Sequence, residues 1–495
     1  MNFRILLAVA AMVAATGQTY AQYSGDALRF SQTPYGSTAR FKAVGAQIGV
    51  GGDLSSVGGN PAGIGLFTRS EFSLSPEFNS FSTDAQYLGQ QNVGRKDQIS
   101  LAHAAVVWNS TLTKPRGAPL DKGWISFNFG LGYNRTKGYG NNVIFSGTNV
   151  KNSVADYYSE IATNNYGAPA TLPAGSLERM AYDNYLIGYD AAGYYFPETD
   201  VNNVQTNNTD RTGSQTELNF AFGANYENKF YIGASLGLAS INYNSYTDYN
   251  EDGYNVTEGS DYILDYSQSQ VTRGAGINAK IGAIYRPSPN VRLGATFQSP
   301  TWYTIDDSYA EKLDTRYAKS VDGATEYQND EEVYDFSYKL RTPMKLSGGI
   351  GYFFGNQGFV SADVDFVDYS TINFLTADNS DDAVINENNR AVLDNFKSTV
   401  NYRLGAEYKL ESLMFRAGYG VQGNPYKNLN DPELKISTYS GGAGYRINNY
   451  YVDLTYQYIG FNSDARPYTL ENGTGPVASL KNTRHNVFLT VGTRF

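Results

Sequence analysis

Between Trp124 and Tyr133 the chain alternates strictly. Ile125, Phe127, Phe129, Leu131 and Tyr133 share one side; Ser126, Asn128, Gly130 and Gly132 share the other. A period of two belongs to a β-strand with one apolar and one polar face. The pattern recurs at 216–227, where Leu218, Phe220, Phe222, Ala224 and Tyr226 alternate with Glu217, Asn219 and Asn225, and again at 229–242. Only Asn228 separates those two runs, which predicts a tight hairpin. Nine more segments follow, near 272–286, 290–299, 343–354, 358–368, 398–410, 412–421, 436–447, 449–461 and 482–495, with two weaker ones near 69–79 and 98–109.

The total is fourteen strands, and their connections alternate in length. Short ones include Pro287-Ser288-Pro289, Gly355-Asn356-Gln357 and the Asn448-Asn449 corner; long ones run over 243–271, 300–342, 369–397, 422–435 and 462–481. An even number of amphipathic strands, with turns short at one end and long at the other, describes a transmembrane antiparallel β-barrel. The expected class is all-β, with the barrel over 69–495 and both of its ends on the short-turn, periplasmic side. The 110–122 connection is longer than that rule prefers.

Composition agrees. Charged residues make up 17% of the 495-residue chain, below the roughly 25% usual for soluble proteins. There are 42 Tyr and 51 Gly. The mean hydropathy of −0.42 excludes a helical membrane protein, whereas a barrel needs apolar residues only at alternate positions. Arg4, the apolar run from Ile5 to Ala15 and Thr19-Tyr20-Ala21 read as an export signal over 1–21, leaving Gln22 first. No Cys is present, so neither disulfides nor thiolate metal sites are expected. The net charge of −10 gives no footing for nucleic acid.

Two stretches are not strands. Residues 22–68 hold Gly36, Gly45, Gly49, Gly51, Gly52, Gly58, Gly59, Gly63 and Gly65, a density that opposes regular strands. A fourteen-stranded barrel conducts unless filled, so this segment is expected to plug the lumen. Residues 135–215 form the largest insertion; Ser153 to Ala162 has a capping serine and helical spacing of Val154, Tyr157, Tyr158 and Ile161, and is expected to fold over the mouth or to remain a mobile outer loop. The final strand sets Val487, Leu489, Val491 and Phe495 on one face. A terminal aromatic of this kind resembles the signal read by the outer-membrane barrel assembly machinery.

Gly36-Ser37-Thr38-Ala39-Arg40, Ala43-Val44-Gly45-Ala46, Gly52-Asp53-Leu54-Ser55-Ser56-Val57 and Asn60-Pro61-Ala62-Gly63-Ile64 resemble the N-terminal hatch of the FadL/TodX family of outer-membrane transporters. Leu293-Gly294-Ala295, Ser361-Ala362-Asp363 and Arg416-Ala417-Gly418-Tyr419 extend the resemblance over nearly the whole mature chain. It implies a fourteen-stranded barrel plugged by a hatch over 22–68, with Asn60, Pro61 and Ala62 as the hatch motif. It also implies passive uptake of hydrophobic or amphipathic molecules, long-chain fatty acids first. The ligand passes from the outer loops to an apolar pocket, displaces the hatch and leaves through a gap near a kinked third strand. Gly130 and Gly132 are candidates for that kink, and equally for close packing of the hatch.

A carboxylate ligand needs a basic partner. Lys280, Arg286, Arg292, Lys345, Arg403 and Arg416 fall on the inward register, where they also face lumen acids such as Glu217, Asp363 and Glu407. The outer loops depart from the transporters: Asp248-Tyr249-Asn250-Glu251-Asp252 and Asn329-Asp330-Glu331-Glu332 are acidic and Tyr-rich rather than apolar. Catalysis is not expected. His103 and His485 both read as lipid-facing, and the outer-membrane phospholipase pattern, with Ser two residues after His, meets Ala105 instead. Neither a metal nor a cofactor is expected. Expected partners are hydrophobic small molecules, outer-membrane lipid and lipopolysaccharide, and the assembly machinery through Phe495. The alternative function is a non-transport adaptor of a protein-secretion apparatus; a plain diffusion porin is disfavoured by the lumen-filling segment.

Overall fold

In hydrocarbon every backbone N–H and C=O needs a partner within the protein, so membrane-crossing strands must close on themselves. The computed structural model describes residues 25–32, 36–115, 119, 121–377, 382–427, 435–471, 473 and 475–495, and it shows that closure. Fourteen antiparallel strands form the wall. They are β1 (Glu71–Tyr87), β2 (Gln90–Thr111), β3 (Trp124–Gly138, continued by Asn141–Asn149), β4 (Asn203–Tyr226), β5 (Phe230–Asn255), β6 (Ser260–Ser288) and β7 (Val291–Gln298, continued by Trp302–Val321). Then come β8 (Glu332–Arg341, continued by Lys345–Phe353), β9 (Gly358–Asp368, continued by Asn373–Thr376), β10 (Ser398–Leu410), β11 (Leu413–Gln422), β12 (Ile436–Ile447), β13 (Tyr450–Ala465) and β14 (Ala478–Arg494). β14 pairs with β1 from Glu71↔Arg494 to Gln86↔Ser479 and seals the barrel. The fourteen strands expected from the alternation are therefore present, and the expected export signal over 1–21 lies outside the described residues.

Phe129, Phe220, Leu236, Leu293, Ile350, Phe366, Leu404, Phe415, Leu454 and Leu489 all stand exposed on the outer face, as a lipid-facing belt requires. The breaks within β7 and β8 have a common cause. Pro300 and Pro343 have no N–H to give the ladder, and Thr301 and Thr342 tie the two breaks together with bonds of 2.8 and 3.0 Å.

Two of the expected long loops, 243–271 and 300–342, are mostly strand. β1 and β2 meet at a turn through Leu88 and Gly89, and β5 and β6 continue their pairing as far as Asn255↔Ser260. Asp248–Asp252 is thus part of β5, with Tyr249 and Glu251 turned inward. The 135–215 insertion contracts to 150–202, because its flanks pair from Asn141↔Arg211 to Asn149↔Asn203. Outside the membrane neither face meets lipid, so the apolar alternation stops while the ladder continues.

Within 150–202 lie α3 (Val154–Asn165) and α4 (Leu177–Asp183); α1 (25–31), α2 (Ala39–Val44) and two short 3-10 helices, Leu54–Val57 and Pro61–Leu66, lie in the N-terminal segment, and α5 (Asp382–Asn395) precedes β10. The helix expected at Ser153 is α3. Ser153 caps it in a reciprocal capping box with Asp156.

His103 is not lipid-facing. Ser75 pairs with His103 but Pro76 pairs with Leu101, so Ala102 is an extra residue, a β-bulge opposite a proline. The bulge reverses the phase of β2. Leu101 remains outside while His103, fully buried, points into the lumen.

Candidate functional site

The N-terminal segment fills the lumen, and the wall is shaped to receive it. Gly223, Gly233 and Gly282 occupy one rung of β4, β5 and β6. A methyl group on any of them would collide with the hatch: with Ile64 and Gly65 at 223, with Pro61 and Ala62 at 233, with Asn60 at 282. The Asn60-Pro61-Ala62 triplet therefore lies flat against a bare strip of wall. Asn60 Nδ2 donates to the Ile48 carbonyl at 2.8 Å, and Asn60 Oδ1 accepts from Ala62 N at 3.1 Å, capping the second 3-10 helix.

Polar groups of the wall complete the seat. Asp363 accepts from Gln47 N and Ile48 N (2.7 and 2.9 Å), and Asn128 Nδ2 donates to the carbonyls of Ile64 and Phe67 (2.6 and 2.9 Å). Arg40 of α2 forks onto Glu407 at 2.8 and 3.1 Å, and Arg416 reaches the same carboxylate at 2.7 Å while also holding Asp453. His103 lies between Ser37 of the hatch (2.9 Å), Asn134 of β3 (2.9 Å) and Ser73 of β1 (3.1 Å).

Gly130 and Gly132 pair regularly on both sides, to Val107 and Ala105 of β2 and to Ala221 and Asn219 of β4. Their missing side chains make room for Val57 of the hatch. β3 is irregular on either side of them, at Trp124–Ser126 and, further along, at Arg135–Lys137. There the β2–β3 ladder ends: His103↔Asn134 is its last rung, and among the described residues no backbone pairing joins these strands beyond it. Side chains bridge the seam instead. Arg135 donates to Ser100 Oγ (2.9 Å) and Gln98 Oε1 (3.2 Å), and Asn92 Oδ1 accepts from Ser146 N (3.0 Å).

Above the hatch the lumen has two characters. A polar cavity is lined by Ser37, Asn134, Arg135, Gln215, Glu217, Lys280, Gln298 and Lys345. It shares Phe30, Ala239, Tyr303 and Val367 with an apolar pocket built also from Ile241, Tyr243, Ile305, Leu340 and Phe374. The chain's own α1 occupies this pocket. Ala27, Leu28 and Phe30 are buried in it, Phe30 meets Tyr139 and Tyr243 edge-on with centroids 6.1 Å apart, and Arg29 lies 4.5 Å over the Tyr243 ring.

The six basic candidates separate by position. Lys280 and Lys345 line the cavity. Lys280 is paired with Glu217 and donates to the Gly58 carbonyl at 2.8 Å. Arg403 forks onto Asp365, Arg416 holds Glu407 and Asp453, and Arg292 donates to the Val50 carbonyl at 2.6 Å beneath the hatch. Arg286 lies near the end of β6, beside the β4–β5 turn, where it donates to the Asn228 carbonyl. Sequence reading missed Arg135, hidden in the insertion, and α1 as the filling of the pocket.

The outer mouth is covered. Tyr158, Ala162, Met180 and Ala181 of the insertion pack with Tyr249, Tyr262, Leu264, Leu313, Tyr317, Tyr468 and Leu470. Fully buried Glu251 stands at the N-terminus of α3, accepting from Ser153 Oγ (2.5 Å), Val154 N (3.1 Å), Gln205 Nε2 (2.9 Å) and the hydroxyls of Tyr249 (2.8 Å) and Tyr262 (2.6 Å). A carboxylate there also complements the helix dipole.

Solved structures share this fold. A Pseudomonas aeruginosa FadL homologue of known structure superimposes with a TM-score of 0.56 at 12% identity, covering 93% of this chain and 99% of that one. A mutant of the TodX monoaromatic hydrocarbon channel does so at 0.51 and 14% identity, covering 94% and 99%. No curated protein matches the sequence. The sequence profile described as outer membrane protein transport protein (OMPP1/FadL/TodX) matches residues 24–472. With a hatch seated in a closed fourteen-stranded wall, the chain belongs to this family of outer-membrane transport proteins for hydrophobic compounds.

Proposed function

We propose that the chain takes up amphipathic molecules with an apolar chain and an anionic head, long-chain fatty acids first, by passive diffusion. The observation that carries this reading is the lumen of two characters: an apolar pocket opening directly onto a cavity that holds Lys280, Lys345 and Arg135. An alkyl chain in the pocket is stabilised by about 0.8 kcal/mol per CH₂ buried, and the head reaches the basic groups. The ligand takes the place of Ala27, Leu28 and Phe30. Its carboxylate competes with Glu217 for Lys280, loosening the hold on Gly58 and with it the hatch. Exit follows the seam beyond His103 and Asn134, where only side chains need part.

The test is uptake of labelled oleate and of labelled toluene by a diderm host lacking its own fatty-acid importer. A second strain carries a scrambled Asn60-Pro61-Ala62, with outer-membrane abundance matched. Oleate uptake that depends on the intact triplet supports the proposal. Toluene uptake without oleate uptake moves the substrate to small aromatic hydrocarbons. Neither, with folded and abundant protein, overturns transport of both classes and turns attention to the adaptor function.

A further inference from the structure

The outer wall of β10–β14 carries a groove that transport does not use. Strand register sorts its outward residues into rungs. One rung holds Tyr419, Tyr439, Tyr458 and His485 on four consecutive strands. Their rings follow one another with centroids 5.1, 6.3 and 5.4 Å apart. The next rung outward is small: Val421, Ser437, Gly460 and Thr483. Beyond it Asn462 pairs with Lys481, and Lys435 precedes β12 on the same side as Ser437. A large rung, a small rung and a basic rung make a groove with an aromatic wall, a shallow floor and a cationic rim; Tyr402, Tyr419, Tyr458, Lys435 and Lys481 line it. Gly460 keeps the floor open, since a methyl group there would meet the Tyr458 ring at 3.4 Å.

The height of the groove identifies its surroundings. Tyr458 lies eight residues beyond Tyr450, the periplasmic start of β13. At about 3.3 Å per residue and the usual tilt, that is roughly 20 Å, near the top of an apolar band about 25 Å tall. Leu454, Tyr456, Val487 and Leu489 are exposed just below. The aromatic rung is therefore part of the outer girdle, and the lysines stand at headgroup level.

The lining holds two ammonium groups and no carboxylate, on a chain of net charge −10. Neither ammonium has an ion-pair partner among the described residues, although Asp84 of β1 lies across the register from Lys481. Ser437, Asn462 and Thr483 add neutral hydrogen-bonding groups. Because the groove faces the bilayer, its occupant comes from the bilayer. We propose that it binds the phosphate-bearing headgroup of an outer-leaflet lipid: phosphate between Lys435 and Lys481, sugar or glycerol over the tyrosine rings, acyl chains down the belt below.

The test is native mass spectrometry of the full barrel in detergent. The probes are diphosphoryl lipid A, the same lipid stripped of phosphate, and inorganic phosphate. One diphosphoryl lipid A is expected to stay bound per barrel, at least tenfold more than the stripped lipid and undiminished by inorganic phosphate. Lys435→Gln with Lys481→Gln lowers retention at least tenfold. Gly460→Leu, which fills the floor and leaves the charges, lowers it likewise. Lys229→Gln, at a periplasmic turn, leaves it unchanged. Heat-modifiable migration establishes that every variant is folded. Equal retention of the stripped lipid, unchanged retention in the double variant, or displacement by inorganic phosphate would each overturn the proposal.

Discussion

The side-chain amide of Asn60 donates to the main-chain carbonyl of Ile48 at 2.8 Å, joining two arms of the hatch that are twelve residues apart. Asn60→Ala removes this clamp and the cap on Ala62 together. Loss of a cap costs about 1 kcal/mol, and the Ile48 carbonyl loses its side-chain donor. The barrel wall is untouched, so abundance and heat-modifiability are expected to stay normal. Sensitivity to a large antibiotic such as vancomycin should rise, and planar bilayers should show conductance steps absent from the unaltered protein. A silent N60A barrel in both assays would show that the triplet does not hold the lumen shut.

Glu407 serves two arginines, one from the hatch and one from the wall. Glu407→Gln keeps the shape and removes the charge that both guanidinium groups face. Breaking a buried pair in this way costs about 3–5 kcal/mol, here charged to docking of α2 rather than to barrel closure. Amide exchange over 39–44 is expected to accelerate while that of β10 and β11 does not. Equal acceleration in both would place the ion pair in the wall's own stability.

Phe30 fills the pocket that a ligand is proposed to take. Phe30→Ala weakens the hold on α1 by about 3 kcal/mol. A ligand that must displace this segment then binds more tightly, by up to about a hundredfold. Fluorescent fatty-acid titration of the purified barrel reads the change. Weaker binding in F30A would mean that Phe30 contacts the ligand instead of standing in for it.

The mouth is expected to respond to pH through Glu198. Burial first, and the negative charge of Glu258 second, push this carboxyl up to about 7. The covered state thus holds the proton more tightly than the open chain, whose value is near 4.5. Its contribution is full below pH 4.5 and is lost as pH rises towards 7. Protection of amides 186–200 against exchange should fall between pH 5 and pH 8, after correction for intrinsic rates, and Glu198→Gln should flatten that dependence. An unchanged slope in E198Q would assign it to another group, with Glu178 and Glu311, both raised chiefly by burial, the next to test.

The strands were legible wherever lipid lay on one side, because there alternation is enforced. Past the membrane it is not enforced, and Asp248–Asp252 looked like an acidic loop although Glu251 is the most shielded carboxylate of the cap. His103 was misread for a local reason. Pro76 cannot donate, a bulge at Ala102 takes up the slack, and every side chain after it changes face. The hatch motif was readable but its seat was not. Gly223, Gly233 and Gly282 are ordinary strand glycines in sequence and become one bare strip only through register. All six basic candidates share the inward register, Arg286 at the end of β6, where it donates to the Asn228 carbonyl of the β4–β5 turn. Charge pattern alone does not separate cavity-lining Lys280 and Lys345 from wall-pairing Arg403 and Arg416.

Strand length differs greatly around the barrel. β6 has 29 residues and β5 has 26, whereas β10 has 13 and β11 has 10. At about 3.3 Å per residue the longest reaches on the order of 95 Å along its own axis and the shortest about a third of that. The barrel therefore rises from the membrane as a cowl, high at the back and low at the front, with the 150–202 cover braced against the high side. Such a shape gives the molecule a windward and a leeward face. A solute gliding over the outer leaflet meets a low sill on one side and a cliff on the other. Capture is then directional in the plane of the membrane, and how neighbouring barrels are turned relative to one another governs how much of the surface each can harvest.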